Sequence, residues 1–166
     1  FTSRINMNLR EQKGFTYGAR SYFEFRASPG PFLVQAAVQT DASGAALQEV
    51  FAEMDGLRGD RPVTARELDL ARQGLTRGYA RNFETAEQIA RAMVQLALHQ
   101  LPDQTFDEFI ARVRAVTADE VTEVARRHFV PAGMLSVLVG DAQRVGPALD
   151  ALGLRWKTAT LESLRA

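Results

Sequence analysis

The apolar residues near the N-terminus change from a helical spacing to an alternating one. A hydroxyl cap at the very start predicts a short helix that runs to about Lys13, with Gly14 in the position that commonly follows a helix end. Residues 17–27 then alternate between two sets of side chains, which predicts a strand with one dry and one wetter face. A turn cluster at 28–31 and a second strand over 32–40 complete a β-hairpin.

The helical spacing returns after the hairpin and extends through most of the remaining chain. A helix is predicted over residues 43–57, and four capping boxes predict four further helix starts. In each box a threonine is followed three residues later by Glu or Gln, so that two free backbone N–H groups are satisfied. The boxes are Thr64-Ala-Arg-Glu67, Thr85-Ala-Glu-Gln88, Thr105-Phe-Asp-Glu108 and Thr117-Ala-Asp-Glu120.

A short apolar run between two glycines, residues 134–139, predicts a buried strand near the C-terminus. A last helix is predicted over 141–152, and a short tail follows. We expect the distant strand to join the hairpin in one sheet. This order of elements predicts an α+β fold: a two-layer sandwich in which a mainly antiparallel sheet is covered on one face by helices. Because no linker or repeat interrupts the pattern, residues 1–166 are interpreted as a single domain.

Composition narrows the classes of function. The 166 residues are 46% hydrophobic and 24% charged, with 20 basic and 20 acidic side chains. A net charge of zero gives no electrostatic footprint for nucleic acid or an anionic membrane. No apolar run reaches the roughly 18–20 residues of a membrane span. The absence of cysteine excludes disulfides, thiolate zinc ligands and cysteine nucleophiles, and the compartment stays open.

A metal site within this chain is not expected. A zinc site normally takes three protein ligands from His, Cys or carboxylates, and the chain has only His99 and His128. Each is predicted near the end of a different helix, where the simplest role is interaction with free carbonyls. The sequence also contains neither a Gly-x-Ser-x-Gly elbow nor a phosphate-binding glycine loop.

Two side chains near the N-terminus are the best candidates for chemistry. Arg10 is a permanent cation with a planar fork of donors, and Tyr17, seven positions later, carries a neutral phenol. Together they could hold a substrate carbonyl and the oxyanion made from it. From the residues alone, a surface cation and a core aromatic on the face of Phe23 and Phe25 are the simpler interpretation.

The segment around these residues resembles a signature of the pitrilysin/insulinase family of inverted-motif zinc peptidases. The second homologous domain of that family carries a pattern like Leu-Arg-Glu-x-Lys-Gly-x-x-Tyr, which Leu9 through Tyr17 matches at every defined position. Weaker similarities extend over nearly the whole chain. They are Thr40-Asp41, Val63-Thr-Ala-Arg-Glu-Leu68, Leu101-Pro102, Val116-Thr-Ala-Asp-Glu-Val121, Phe129-Val-Pro131 and Val139-Gly-Asp141.

This resemblance implies that the chain is the substrate-positioning half of a zinc metalloendopeptidase. Zinc would be bound by a homologous partner domain or subunit, and Arg10 and Tyr17 would act on the peptide substrate. The chain lacks the inverted zinc motif, so alone it is expected to be inactive. The family's domain also has an opening strand before this segment, and we expect it to be missing here, either because those residues were left out of this chain or because the chain is a fragment. An exposed sheet edge would invite pairing, including homo-oligomerisation. Bacterial relatives suggest the periplasm.

Two other interpretations remain open at this stage. Core subunits of respiratory complexes keep the family's fold as non-catalytic scaffolds, although a pure scaffold has no need of both Arg10 and Tyr17. An unrelated α+β dimerisation domain is the third interpretation, and the breadth of the match argues against it.

Overall fold

A computed structural model of the protein describes residues 2–160. A two-stranded antiparallel sheet and a larger set of helices confirm the predicted α+β class. The strands are β1 (Thr16–Phe23) and β2 (Phe32–Val38). The helices are α1 (Arg4–Asn6), a π-helix (Met7–Gln12), α2 (Ser43–Arg58), α3 (Ala65–Thr76), α4 (Ala86–His99), α5 (Thr105–Ala115), α6 (Ala118–His128) and α7 (Ala142–Ala151), with short 3-10 turns at Thr40–Ala42, Tyr79–Phe83 and Pro131–Gly133.

The chain divides into two compact units. One, called here the sheet unit, comprises the described parts of 1–22, 33–55 and 130–166. The other, the helix unit, comprises 23–32 and 56–129. The last six residues of the tail predicted from the sequence lie outside the described part of the chain. Within residues 2–160, no helix combines the length and the hydropathy that crossing a membrane requires.

The core of the sheet unit forms where the N-terminal helical segment, the hairpin and α2 meet. Leu9, Ala19 and Ala46 are its buried members, and Leu9 is only 1% exposed. Partly buried apolar side chains pack around these three. They are Ile5, Phe15, Ala36, Val38 and Val50. Burial of this apolar set stabilises the unit.

The hairpin is shorter than the sequence pattern predicts. β1 ends at Phe23, four residues before the predicted end, and β2 ends at Val38. The predicted dry face is wrong, because Tyr17, Phe23 and Phe25 are exposed and Ala19 is the one member of that face over 17–27 that is buried. The reason is that the core cluster of the sheet unit takes up Ala19 from β1, so the alternation continues in the sequence without a layer to cover it.

The predicted strand over 134–139 is also wrong. The segment is assigned to no strand, and its apolar side chains lie outward: Leu135 is 88% exposed and Val139 is 99% exposed. Within residues 2–160, no backbone hydrogen bond joins residues 135–139 to a neighbouring strand. An apolar run supplies the side chains of a strand, but the ladder of backbone hydrogen bonds requires a partner.

Three of the four predicted capping boxes form. In each box the threonine hydroxyl accepts a hydrogen bond from the backbone N–H three residues later. The Glu or Gln side chain at that later position accepts one from the threonine N–H. The threonines are Thr64, Thr85 and Thr117. The fourth prediction is wrong, because Thr105 is already the first residue of α5. Its hydroxyl donates to the Pro102 carbonyl at 2.6 Å instead. Helix α5 therefore begins one residue earlier than the box pattern indicates.

The C-terminal helix of the sheet unit begins as predicted. The Asp141 side chain caps α7 by accepting from the Gln143 N–H at 2.9 Å. Helix α7 approaches α2 closely at Gly44, where an added Cβ would lie 2.7 Å from the Cβ of Ala148. A glycine at this position lets the two helices pack side by side.

Candidate functional site

The segment that carries Arg10 is a π-helix rather than the α-helix that the sequence predicts. It covers Met7–Gln12, and the Lys13 N–H donates to the carbonyl of Asn8, five residues back, at 3.0 Å. A π-helix widens each turn by one residue, and short π segments are frequent at functional sites. The helix ends as predicted at Gly14, which has a φ of +65°.

The chain reverses directly after this helix. The Gly14 N–H donates to the Arg10 carbonyl at 3.2 Å, and the Phe15 N–H donates to the Leu9 carbonyl at 2.8 Å. These bonds satisfy carbonyls at the helix end: the first is the bond of a simple glycine-terminated helix, and the second reaches back six residues. Arg10 and Tyr17 consequently lie on either side of one hydrogen-bonded reversal in the sheet unit.

Two asparagines fix the helical segment to its neighbours. The Asn6 side chain exchanges two hydrogen bonds with the backbone of Ala19 on β1, as donor at 2.7 Å and as acceptor at 2.9 Å. The Asn8 amide donates to both Glu49 and Glu53 of α2, each at 2.8 Å. Both asparagines are buried. The segment is therefore held against the strand on one side and against α2 on the other.

The two candidate side chains lie in different environments. The Arg10 side chain is 36% exposed, and its Nε atom lies 3.5 Å from a carboxylate oxygen of Glu11. Tyr17 is 97% exposed, and its hydroxyl makes no hydrogen bond with any residue of the described range. The interpretation of Tyr17 as a core aromatic is thus wrong. Large aromatic side chains normally bury most of their area, so this exposure requires another explanation.

A second tyrosine shows the contrast. Tyr79 stacks on Phe109 with ring centroids 4.3 Å apart, and its hydroxyl donates to the Phe106 carbonyl at 3.2 Å. Burial, and to a lesser extent the negative charge of Asp107, raise the pKa of Tyr79 above its ordinary value of 10.0. Tyr79 is therefore a packing residue of the helix unit.

The described residues do not form a metal site. Across residues 2–160, no three His, Cys, Asp or Glu side chains come together in a way that could hold a metal ion. His99 and His128 are the last residues of α4 and α6, as predicted. The Nε2 atom of His99 is buried and makes no hydrogen bond there, so the expected contact with helix-end carbonyls is not made by that atom.

Comparison with known proteins identifies the class of domain. Residues 1–75 match the family model described as the peptidase M16 inactive domain. The structure is similar to the crystal structure of a peptidase M16 inactive domain from Pseudomonas fluorescens, with 25% identity and a TM-score of 0.65. That match covers 76% of this chain and 30% of the other, so the chain spans under a third of its relative. No curated protein matches the chain.

These matches confirm the resemblance to the C-terminal domain of the pitrilysin/insulinase family. The M16 family model is described as an inactive domain. The chain is thus similar to the inactive domain of M16 peptidases. The comparisons do not test the roles of Arg10 and Tyr17, which stay predictions.

Sequence reasoning missed the two asparagines that hold this segment. A signal was present, because asparagine is unfavourable inside a helix unless its side chain has a specific partner. Asn6 and Asn8 are two such residues in one short helix. Their partners on β1 and α2 lie 13 or more residues away, beyond the reach of a local pattern.

Proposed function

We propose that this chain is the substrate-positioning domain of a zinc metalloendopeptidase and that it contributes Arg10 and Tyr17 to peptide-bond hydrolysis. The observation that carries the proposal is the state of Tyr17. A side chain that is 97% exposed, with a hydroxyl that has no partner among the described residues, is available to a ligand. The residues on both sides of it are nevertheless held, Thr16 by a hydrogen bond from its hydroxyl and Ala19 by one from its backbone N–H.

The chemistry of the two side chains suits a peptide substrate. A neutral phenol can donate one hydrogen bond to an oxygen that gains negative charge as the peptide carbonyl is attacked. A guanidinium presents several donors in a fixed plane and can hold a neighbouring peptide carbonyl. Arg10 would orient the substrate, and Tyr17 would stabilise the oxyanion.

Zinc would belong to a partner domain or subunit. The described residues of this chain do not fit a zinc site, because they bring no set of three ligands together. When bound by the partner, zinc would supply the activated water for hydrolysis. Under this proposal the chain alone is inactive and acquires a role only beside the domain that binds the metal.

The decisive experiment uses the full-length protein, or this chain combined with its metal-binding partner, and measures peptide cleavage with zinc present. Tyr17→Phe removes one hydroxyl, and kcat should fall by about 10²–10³ because one oxyanion donor is lost. Tyr22→Phe is the matched control, since Tyr22 is another exposed tyrosine of the same strand. It should leave kcat within about twofold, as is usual for a surface change away from the chemistry.

Arg10 has its own test in the same assay. Arg10→Lys keeps the charge and loses the planar fork, so KM should rise and kcat should fall. Arg20→Lys is the control, because Arg20 lies on β1 and bonds to Gln35. If Tyr17→Phe cleaves peptides as fast as the wild type, the proposed role is wrong. If the wild-type protein shows no zinc-dependent cleavage, the non-catalytic scaffold is favoured instead.

A further inference from the structure

We propose that Asn6 is a positioning residue that sets the placement of Tyr17 relative to Arg10. The inference rests on the proposed function of those two side chains. Asn6 lies one helical turn before Arg10, and its amide bonds to Ala19, two residues after Tyr17. One buried side chain therefore joins the helix that carries the cation to the strand that carries the phenol.

The hydrogen bonds of Asn6 define its orientation. Its Nδ2 donates to the Ala19 carbonyl at 2.7 Å and to the Ser3 hydroxyl at 3.0 Å, and its Oδ1 accepts from the Ala19 N–H at 2.9 Å. A flipped amide would place donor against donor and acceptor against acceptor at Ala19. The amide thus pairs with the strand as another strand's backbone would, and Asn6 is only 7% exposed.

The other side of Tyr17 is held as well. The Thr16 hydroxyl donates to the Ala37 carbonyl of β2 at 2.6 Å and accepts from the Gly18 N–H at 3.1 Å. The residues before and after Tyr17 are therefore held by hydrogen bonds, while its side chain is 97% exposed and its hydroxyl makes no hydrogen bond among residues 2–160. Such a frame preorganises a donor whose position matters to within a fraction of an ångström.

An aspartate at position 6 tests the frame with little change in shape. In Asn6→Asp the carboxylate still accepts from the Ala19 N–H, but it faces the Ala19 carbonyl without a proton to donate. We expect kcat for peptide cleavage by the full-length protein to fall at least tenfold. Thr122→Val is the control for the loss of a buried polar group, since Thr122 is also 7% exposed and lies in the helix unit. It should change kcat by less than twofold.

A double-mutant cycle separates positioning from general destabilisation. In the Tyr17→Phe background the hydroxyl is already missing, so Asn6→Asp should lower kcat by no more than about threefold. Hydrogen exchange over residues 15–22 should rise in Asn6→Asp and stay unchanged in Thr122→Val. If Asn6→Asp does not fold, Asn6→Ser, which keeps a smaller hydrogen-bonding group, takes its place in the same cycle.

The outcomes separate this inference from the proposed function. If Tyr17→Phe alone leaves kcat unchanged, the proposed function fails and the inference falls with it. If Tyr17→Phe lowers kcat but the change at Asn6 has the same effect with Tyr or Phe at position 17, only the positioning role is overturned. A smaller loss of kcat on Asn6→Asp with Phe than with Tyr at position 17, together with faster exchange over 15–22, supports it.

Discussion

The side-chain amide of Asn6 pairs with the backbone of Ala19 through two hydrogen bonds of 2.7 and 2.9 Å. Both residues are buried, so each bond is made in an environment where an unmade bond would be costly. This pair joins the N-terminal helical segment to β1 in the way that a neighbouring strand joins a sheet. It explains how a short, partly π-helical segment keeps a defined position beside the strand.

The two tyrosines should differ in what their hydroxyls do for stability. Tyr79→Phe removes a hydrogen bond to the Phe106 carbonyl, and we expect it to lower the free energy of unfolding by about 1 kcal/mol. Tyr17→Phe removes a hydroxyl without a partner in the described range, so it should change that free energy by less than about 0.5 kcal/mol. Urea unfolding of the two variants measures both values. A loss above 1 kcal/mol for Tyr17→Phe would show that its hydroxyl has a structural role.

Gly14 should be required for its backbone conformation alone. Its φ is +65°, and an added Cβ would meet no atom within 4 Å, so Gly14→Ala carries only the backbone penalty. That penalty is about 1–2 kcal/mol of lost stability. Gly74 in α3 is the matched control, because an added Cβ there also meets nothing and its φ is not positive. Gly74→Ala should stabilise the protein by about 0.4–1 kcal/mol. If denaturant unfolding shows that both variants raise, or both lower, the free energy of unfolding, the explanation by backbone conformation is wrong.

Local patterns in the sequence predicted the elements whose bonds are local. The boxes that begin at Thr64, Thr85 and Thr117 formed because their hydrogen bonds join residues three positions apart. Gly14 was recognisable as a helix stop for the same reason. The prediction at Thr105 failed because a bond to Pro102, on the other side of the box, starts the helix earlier.

Features that depend on distant partners were not predictable in this way. The run at 134–139 has the composition of a buried strand, yet whether it forms one depends on a neighbouring strand. The exposure of Tyr17, which lies between buried Thr16 and buried Ala19, depends on which side chains of β1 meet the core cluster. Arg10 and Tyr17 were selected through a resemblance to a family signature, and their environments became known only from the structure.

The close approach of α2 and α7 should make Gly44 intolerant of a side chain. An added Cβ would lie 2.7 Å from the Ala148 Cβ, so Gly44→Ala should cost about 1–3 kcal/mol of stability, although alanine normally favours a helix. Ala148→Gly removes the opposing methyl and should itself cost about 1 kcal/mol. In the double variant the clash is absent, so the combined loss should be smaller than the sum of the two single losses. Strict additivity in thermal unfolding would show that the helices do not meet at this point.

The capping box at the start of α6 should make stability depend on pH. The Thr117 backbone N–H, and then its hydroxyl, hydrogen-bond to Glu120 and hold its pKa below the ordinary value of 4.5. Because the folded pKa is depressed, the carboxylate contributes stability that is fully present above about pH 4.5. This contribution is lost as the pH falls through the lower, folded pKa.

A glutamine at the same position tests this dependence. Glu120→Gln keeps a side-chain acceptor for the Thr117 N–H but cannot titrate, as in the natural box formed by Thr85 and Gln88. Unfolding midpoints of wild type and Glu120→Gln are measured from pH 7 to pH 3. On acidification the wild type should lose stability relative to the variant. Gln88→Glu should introduce the same acid-dependent loss at α4. A difference that stays constant across this range would mean that the Glu120 carboxylate contributes nothing through its charge.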